Sequence, residues 1–128
     1  MYNKPLIYAV VGSRSFKDYR YLEAILDKIF STKNVLKIIS GGAIGADTLA
    51  MRYANEHKIN FVEYKADWVK YDKSAGLVRN MQMANICDVV IAFWDGKSTG
   101  TAHMIDICKS QNKKVIIKKI DKRKKRTW

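Results

Sequence analysis

Five short strand-like segments, the first and fourth strongly apolar, alternate with four helical segments, and this alternation constrains the chain more than any other feature. The run Leu6–Val11 (LIYAVV) has no polar break, as expected of a strand buried on both faces. Val35–Ile39, Asn60–Tyr64, Asp88–Phe93 and Val115–Ile120 read as the other strands, the last one mixed with lysines and therefore placed at an edge. Leu22, Ile25, Leu26, Ile29 and Phe30 form one helical face within Tyr19–Phe30. A similar stripe runs from Ala46 to His57, Ala75–Ile86 reads as helical, and Thr101–Ser110 reads as a helix with Thr101, Met104, Ile105 and Cys108 inward. Ala66–Ser74 (ADWVKYDKS) lacks such a stripe and reads as a loop. Strands alternating with helices of this length imply right-handed crossovers. The expectation is an α/β, Rossmann-like, three-layer fold: a five-stranded, mostly parallel sheet with helices on both faces. Residues 1–120 form a single domain in this reading, and 121–128 form a basic C-terminal tail.

Composition narrows the class. The chain has 128 residues, of which 48% are apolar, enough for one globular core. No apolar run reaches the roughly 18 residues of a spanning helix, so no membrane association is expected. The first residues carry no leader pattern, which points to a cytoplasmic protein. Cys87 and Cys108 lack the spacing of a zinc or redox motif and read as buried, reduced thiols. Neither a metal nor a cofactor is expected. The formal charge of +12 is concentrated at one end: residues 109–128 hold ten of the 24 Lys and Arg but one of the twelve acids. The tail is either a solubilising end or a weak electrostatic contact for nucleic acid.

In an open parallel sheet, the loops leaving the strand C-termini line the binding crevice. After the first strand come Gly12, Ser13 and Arg14, a turn with hydroxyl and guanidinium donors. After the second comes Ser40-Gly41-Gly42-Ala43-Ile44-Gly45-Ala46-Asp47, whose glycines would expose amides to an anion or sugar-phosphate. Its spacing is neither GxGxxG nor a Walker A loop. Asp47 either complements the helix dipole or accepts from a ribose hydroxyl. After the fourth strand, Trp94-Asp95-Gly96-Lys97-Ser98-Thr99-Gly100-Thr101 offers three hydroxyls and two glycines ahead of a helix N-terminus, the best phosphate cradle in the chain. Arg79, followed by Asn80, could pair with a phosphate or carboxylate. Trp68 and Trp94 are candidates to stack on a base.

The set GSRSF, SGGAIGAD, ADW, AGLVRN and DVVIAFWDGKSTGT resembles the SLOG superfamily, which includes the Rossmann-like domains of DprA (Smf) and of the LOG enzymes. It is most similar to the small stand-alone YspA-like branch of bacterial and phage proteins, over about residues 6–118. The resemblance implies binding of nucleotides or nucleotide-derived ligands, and self-association. LOG enzymes release ribose 5-phosphate from nucleoside monophosphates, with an Arg-Lys motif and PGGxGTxxE. Here Arg79-Asn80 resembles the first, with Asn80 in place of lysine, and Gly100-Thr101 matches the GT of the second. The glutamate position falls on Met104. The first expectation is therefore a binding module for an ADP-ribose-like ligand, acting as a sensor or sequestering protein. A LOG-like phosphoribohydrolase, with Asp47 or Asp95 as substitute catalytic carboxylate, and a DprA-like nucleic-acid binder are the alternatives.

Overall fold

The computed structural model describes residues 4–120. The strands are β1 (Leu6–Gly12), β2 (Val35–Ser40), β3 (Phe61–Glu63), β4 (Val89–Trp94) and β5 (Lys114–Lys119). The helices are α1 (Tyr19–Phe30), α2 (Ala46–Glu56), α3 (Trp68–Tyr71), α4 (Ala75–Ile86) and α5 (Thr99–Ser110). The sheet order is β3-β2-β1-β4-β5, and every strand pair in it is parallel. The "mostly parallel" expectation thus sharpens to fully parallel among the described residues. The tail at 121–128 lies outside them.

The period of two along the central strands divides the core. Tyr8 and Val10 of β1 face one layer with Ile91 and Phe93 of β4, covered by Leu22 and Leu26 of α1 and by Ala50 and Tyr53 of α2. Ala9 and Val11 face the other layer with Val90 and Ala92, covered by Met83 and Cys87 from the α4 end and by Met104 and Cys108 of α5. Both cysteines are free and buried in that second layer. β5 lies at an edge, as its lysines suggested. No helix among the described residues is long and apolar enough to cross a membrane.

The segment read as a loop is the main departure. The Asp67 carboxylate accepts from the Lys70 amide at 3.0 Å and caps α3, and a 3-10 turn over Asp72–Ser74 leads directly into α4. A four-residue helix is too short to show a hydrophobic period, so its signal lay in the cap alone. α5 also begins two residues earlier than expected, which places Thr99 and Gly100 in its first turn.

Candidate functional site

Strand order reverses at β1, whose neighbours are β2 on one side and β4 on the other. The loops after these strands therefore diverge around a crevice at the sheet's C-terminal edge. A cleft of about 550 Å³ opens there. Its wall includes Gly12, Ser13 and Arg14 after β1, Ala43 and Asp47 after β2, Arg79 and Asn80 on α4, and Ser98 to Thr101 after β4. Met83 and Met104 supply apolar floor, and Trp68 and Leu77 stand at an exposed margin.

Ser13 ties the loops together. Its amide donates to Phe93 O at 3.0 Å, and its hydroxyl accepts from the Asp95 amide at 3.2 Å. The Ser98 hydroxyl meets it at 3.0 Å, and its carbonyl accepts from the Ala46 amide at 3.4 Å. Ser13 is 1% exposed, so these bonds fix the loops in a dry setting. Gly12 is required for the same closure, because a Cβ there would collide with Phe93 O and Ala46 Cβ. Arg14 is exposed at the rim.

The glycine-rich loop after β2 divides differently from the sequence expectation. Gly41, Gly42 and Gly45 do not line the cleft. Gly42 and Gly45 adopt φ of 76° and 86°, and a Cβ on Gly45 would lie 2.5 Å from both Ser13 O and Arg14 O. Gly45 thus lets this loop pack against the one after β1, Gly42 makes room for the Glu63 side chain of β3, and Ala43 and Asp47 carry the wall. Asp47 is nearly buried, and its carboxylate accepts from the Ala43 amide at 3.1 Å. Burial pushes the Asp47 carboxyl up, against the Ala43 N–H and the Arg79 guanidinium, which favour the carboxylate. A raised pKa means that the folded state binds this proton more tightly than the unfolded chain. Stability contributed through Asp47 therefore falls as pH rises from the unfolded value, near 3.8, through the folded one. Comparing thermal midpoints of the wild type and Asp47→Asn from pH 4 to 8 should show the wild type losing ground as pH rises. A difference that stays flat would mean that Asp47 carries no raised pKa.

The loop after β4 is shaped by residues behind the wall. The Asp95 carboxylate accepts from the amides of Lys97 and Ser98, each at 2.8 Å, while Gly96 turns with φ 82°. The Trp94 indole donates to Ser98 O at 3.1 Å. Trp94, Asp95 and Gly96 thus brace the loop rather than line the cleft, so Trp94 is not placed to stack on a ligand there. The α5 ladder begins with the Ala102 amide bonding Ser98 O at 3.1 Å. The amides of Thr99, Gly100 and Thr101 precede it and have no acceptor one turn back in the helix. A Cβ on Gly100 would meet nothing within 4 Å, so its face is open to the cleft.

Arg79 ties α4 to the loop after β2. Its Nη1 donates to Gly41 O at 2.7 Å and its Nε to Asn80 Oδ1 at 3.2 Å. Asn80 Nδ2 in turn donates to Gly100 O at 3.1 Å and lies 3.2 Å from His103 Nδ1. The side chain standing where LOG enzymes have lysine is therefore a buried link between α4 and the first turn of α5.

The family model for the YspA, cpYpsA-related SLOG family matches residues 7–71. The chain belongs to that family. This SLOG chain is 36% identical over 101 residues to the Gene 61 protein of Mycobacterium phage D29, covering 73% of this chain and 81% of that one. Its fold is similar to that of DNA processing protein A from Helicobacter pylori (TM-score 0.66, 22% identity, 92% of this chain and 69% of that chain). It is similar also to DprA from Streptococcus pneumoniae (TM-score 0.71, 19% identity, 88% of this chain) and spans 50% of that chain's length. At these identities the likeness to DprA shows the shared fold.

The SLOG chain adds wall residues that the sequence did not offer. Lys73, Gly76 and Leu77 come from the turn into α4 and its first residues, and Val11 and Met83 also line the cleft. The Asp67 cap was the available signal for the first group, since it makes α3 and the following turn fold back toward the sheet edge.

Proposed function

We propose that this cleft binds a phosphorylated, nucleotide-derived small molecule of ADP-ribose-like size, in a sensing or sequestering role. The observation that carries this reading is the open face of Gly100 in a helix first turn that lines the cleft together with Arg79. Helix N-termini favour anions through their free amides and their dipole. Ser98 to Thr101 would hold one phosphate, with Arg79 as counter-charge. Arg14 and Lys73 lie on the wall for a second phosphate, and Asp47 for a sugar hydroxyl. Trp68, 58% exposed on the wall, is the aromatic surface for a base. Arg79→Ala should weaken binding of AMP or ADP-ribose by about 1.5–3 kcal/mol, the range for a charge-assisted hydrogen bond. Adenosine should be nearly unaffected. Calorimetric titration decides, and equal losses for AMP and adenosine would make Arg79 a structural brace alone.

The nucleic-acid reading has one observation in its favour, the fold shared with H. pylori DprA, a protein described by its single-stranded DNA binding mode. The hydrolase reading meets an obstacle at Met104, which lines the cleft where the LOG glutamate would stand and is 1% exposed. Methionine cannot stabilise an oxocarbenium-like centre, and electrostatic stabilisation of this kind is often the largest catalytic contribution. At most trace release of ribose 5-phosphate from nucleoside monophosphates is expected. Robust turnover that Asp47→Asn abolishes would establish the enzyme reading in its place.

A further inference from the structure

The last described segment is rich in lysine, and part of it is the edge strand of the sheet. Between Lys109 and Ile120 the sequence holds Lys109, Lys113, Lys114, Lys118 and Lys119 and no acid. Three of them belong to β5, the terminal strand in the sheet order, whose outer backbone edge has no strand partner among the described residues. Strand alternation places Lys114 and Lys118 on one face with Ile116, and Lys119 on the other with Val115 and Ile117. The strip thus carries positive charge on both sides of an exposed edge. At one end, a Cβ on Gly96 would lie 3.8 Å from Lys119 Cε, so the strip reaches the loop after β4. At the other, Lys113 Nζ is engaged with Cys87 O at 2.6 Å. None of these lysines lines the cleft.

We propose that the open edge of β5 binds the phosphodiester backbone of nucleic acid without reading its sequence. Charge complementarity carries the choice of partner: a row of lysines with no interspersed acid matches a polyanion. One or two lysines suffice to deter strand pairing at an edge, whereas β5 carries three in six residues and no acid. A single edge strand offers no helix or two-stranded ribbon to enter a major groove, so phosphates are the groups it meets. A membrane surface fits less well, because Ile117 is the one large apolar side chain exposed on β5, and interfacial binding needs a broad apolar face.

The test uses the full chain and a fluorescein-labelled 20-nucleotide oligothymidylate, followed by anisotropy across a salt series. Two variants are compared with the wild type: Lys114→Gln with Lys119→Gln at the edge, and Lys124→Gln with Lys125→Gln beyond it. Both edge lysines are exposed, and a thermal melt checks that the fold is kept. Each lost phosphate contact on a single strand lowers the slope of log K against log salt by about 0.7, so the edge pair should reduce it by roughly 1.4. An unchanged slope for the edge pair, whatever the other pair does, overturns the proposal. So does tighter half-saturation on phosphatidylglycerol vesicles than on the oligonucleotide.

Discussion

Gly100→Val is expected to weaken binding of ADP-ribose in the cleft by about a hundredfold while leaving the thermal midpoint unchanged or slightly higher. The two effects separate because the position is crowded for a ligand and open for the protein: an added Cβ meets nothing within 4 Å. Glycine costs about 0.8–1.0 kcal/mol against alanine inside a helix, so any side chain in this first turn is tolerated or welcome. A valine would fill the space through which a phosphate approaches the amides of Thr99 to Thr101. Two lost charge-assisted hydrogen bonds at about 1.5 kcal/mol each correspond to roughly a hundredfold in affinity. Calorimetry alongside a thermal melt reads both quantities, and undiminished affinity would remove the first turn of α5 from the site.

Gly45→Ala should produce the largest loss of stability among single changes near the cleft. Two costs coincide there. The backbone sits at φ 86°, ψ −129°, a region essentially reserved for glycine, and a Cβ would press on two backbone carbonyl oxygens. Strain of about 1–3 kcal/mol and overpacking of about 1–3 kcal/mol add to roughly 2–6 kcal/mol. In a domain of this size that lowers the midpoint by roughly 10 °C or more. Two comparison variants isolate the components. Gly96→Ala keeps a positive φ, but its Cβ would meet only Lys119 Cε at 3.8 Å, so it reports strain. Gly12→Ala has no positive φ but collides with Phe93 O and Ala46 Cβ, so it reports contact. A Gly45→Ala midpoint no lower than that of Gly96→Ala would show that the loops yield.

The contrast between Gly45 and Gly100 also shows where sequence reading stops. Glycine is used both where protein backbone approaches protein backbone and where it approaches a ligand, and the letter is the same. Gly41, Gly42 and Gly45 are expected to face an anion, yet a Cβ on them would meet the Arg79 and Asp47 side chains, the Glu63 side chain, and the Ser13 and Arg14 carbonyls respectively, whereas Gly100 stands on the cleft wall with open space before it. The layers are legible because burial on both faces forces unbroken apolar runs such as Leu6–Val11 and Val89–Phe93. Helix α1 matches its apolar stripe from end to end, and α4 matches the helical segment expected at 75–86. α3 was not legible, since four residues carry no period, and with it went Lys73 and Leu77 of the cleft wall. Trp94 and Asp95 were singled out for chemistry that residues beside a cleft could do. Their indole and carboxylate instead hold the loop that presents Ser98 to Thr101.

The central claim is that a phosphorylated ligand sits against the first turn of α5. Titrating ADP-ribose into ¹⁵N-labelled protein and following the amide resonances tests it most directly. The account predicts the largest shifts at Thr99, Gly100 and Thr101, with a shift at Arg79 Nε. Saturable shifts confined to β5, or none at millimolar ligand, would contradict it.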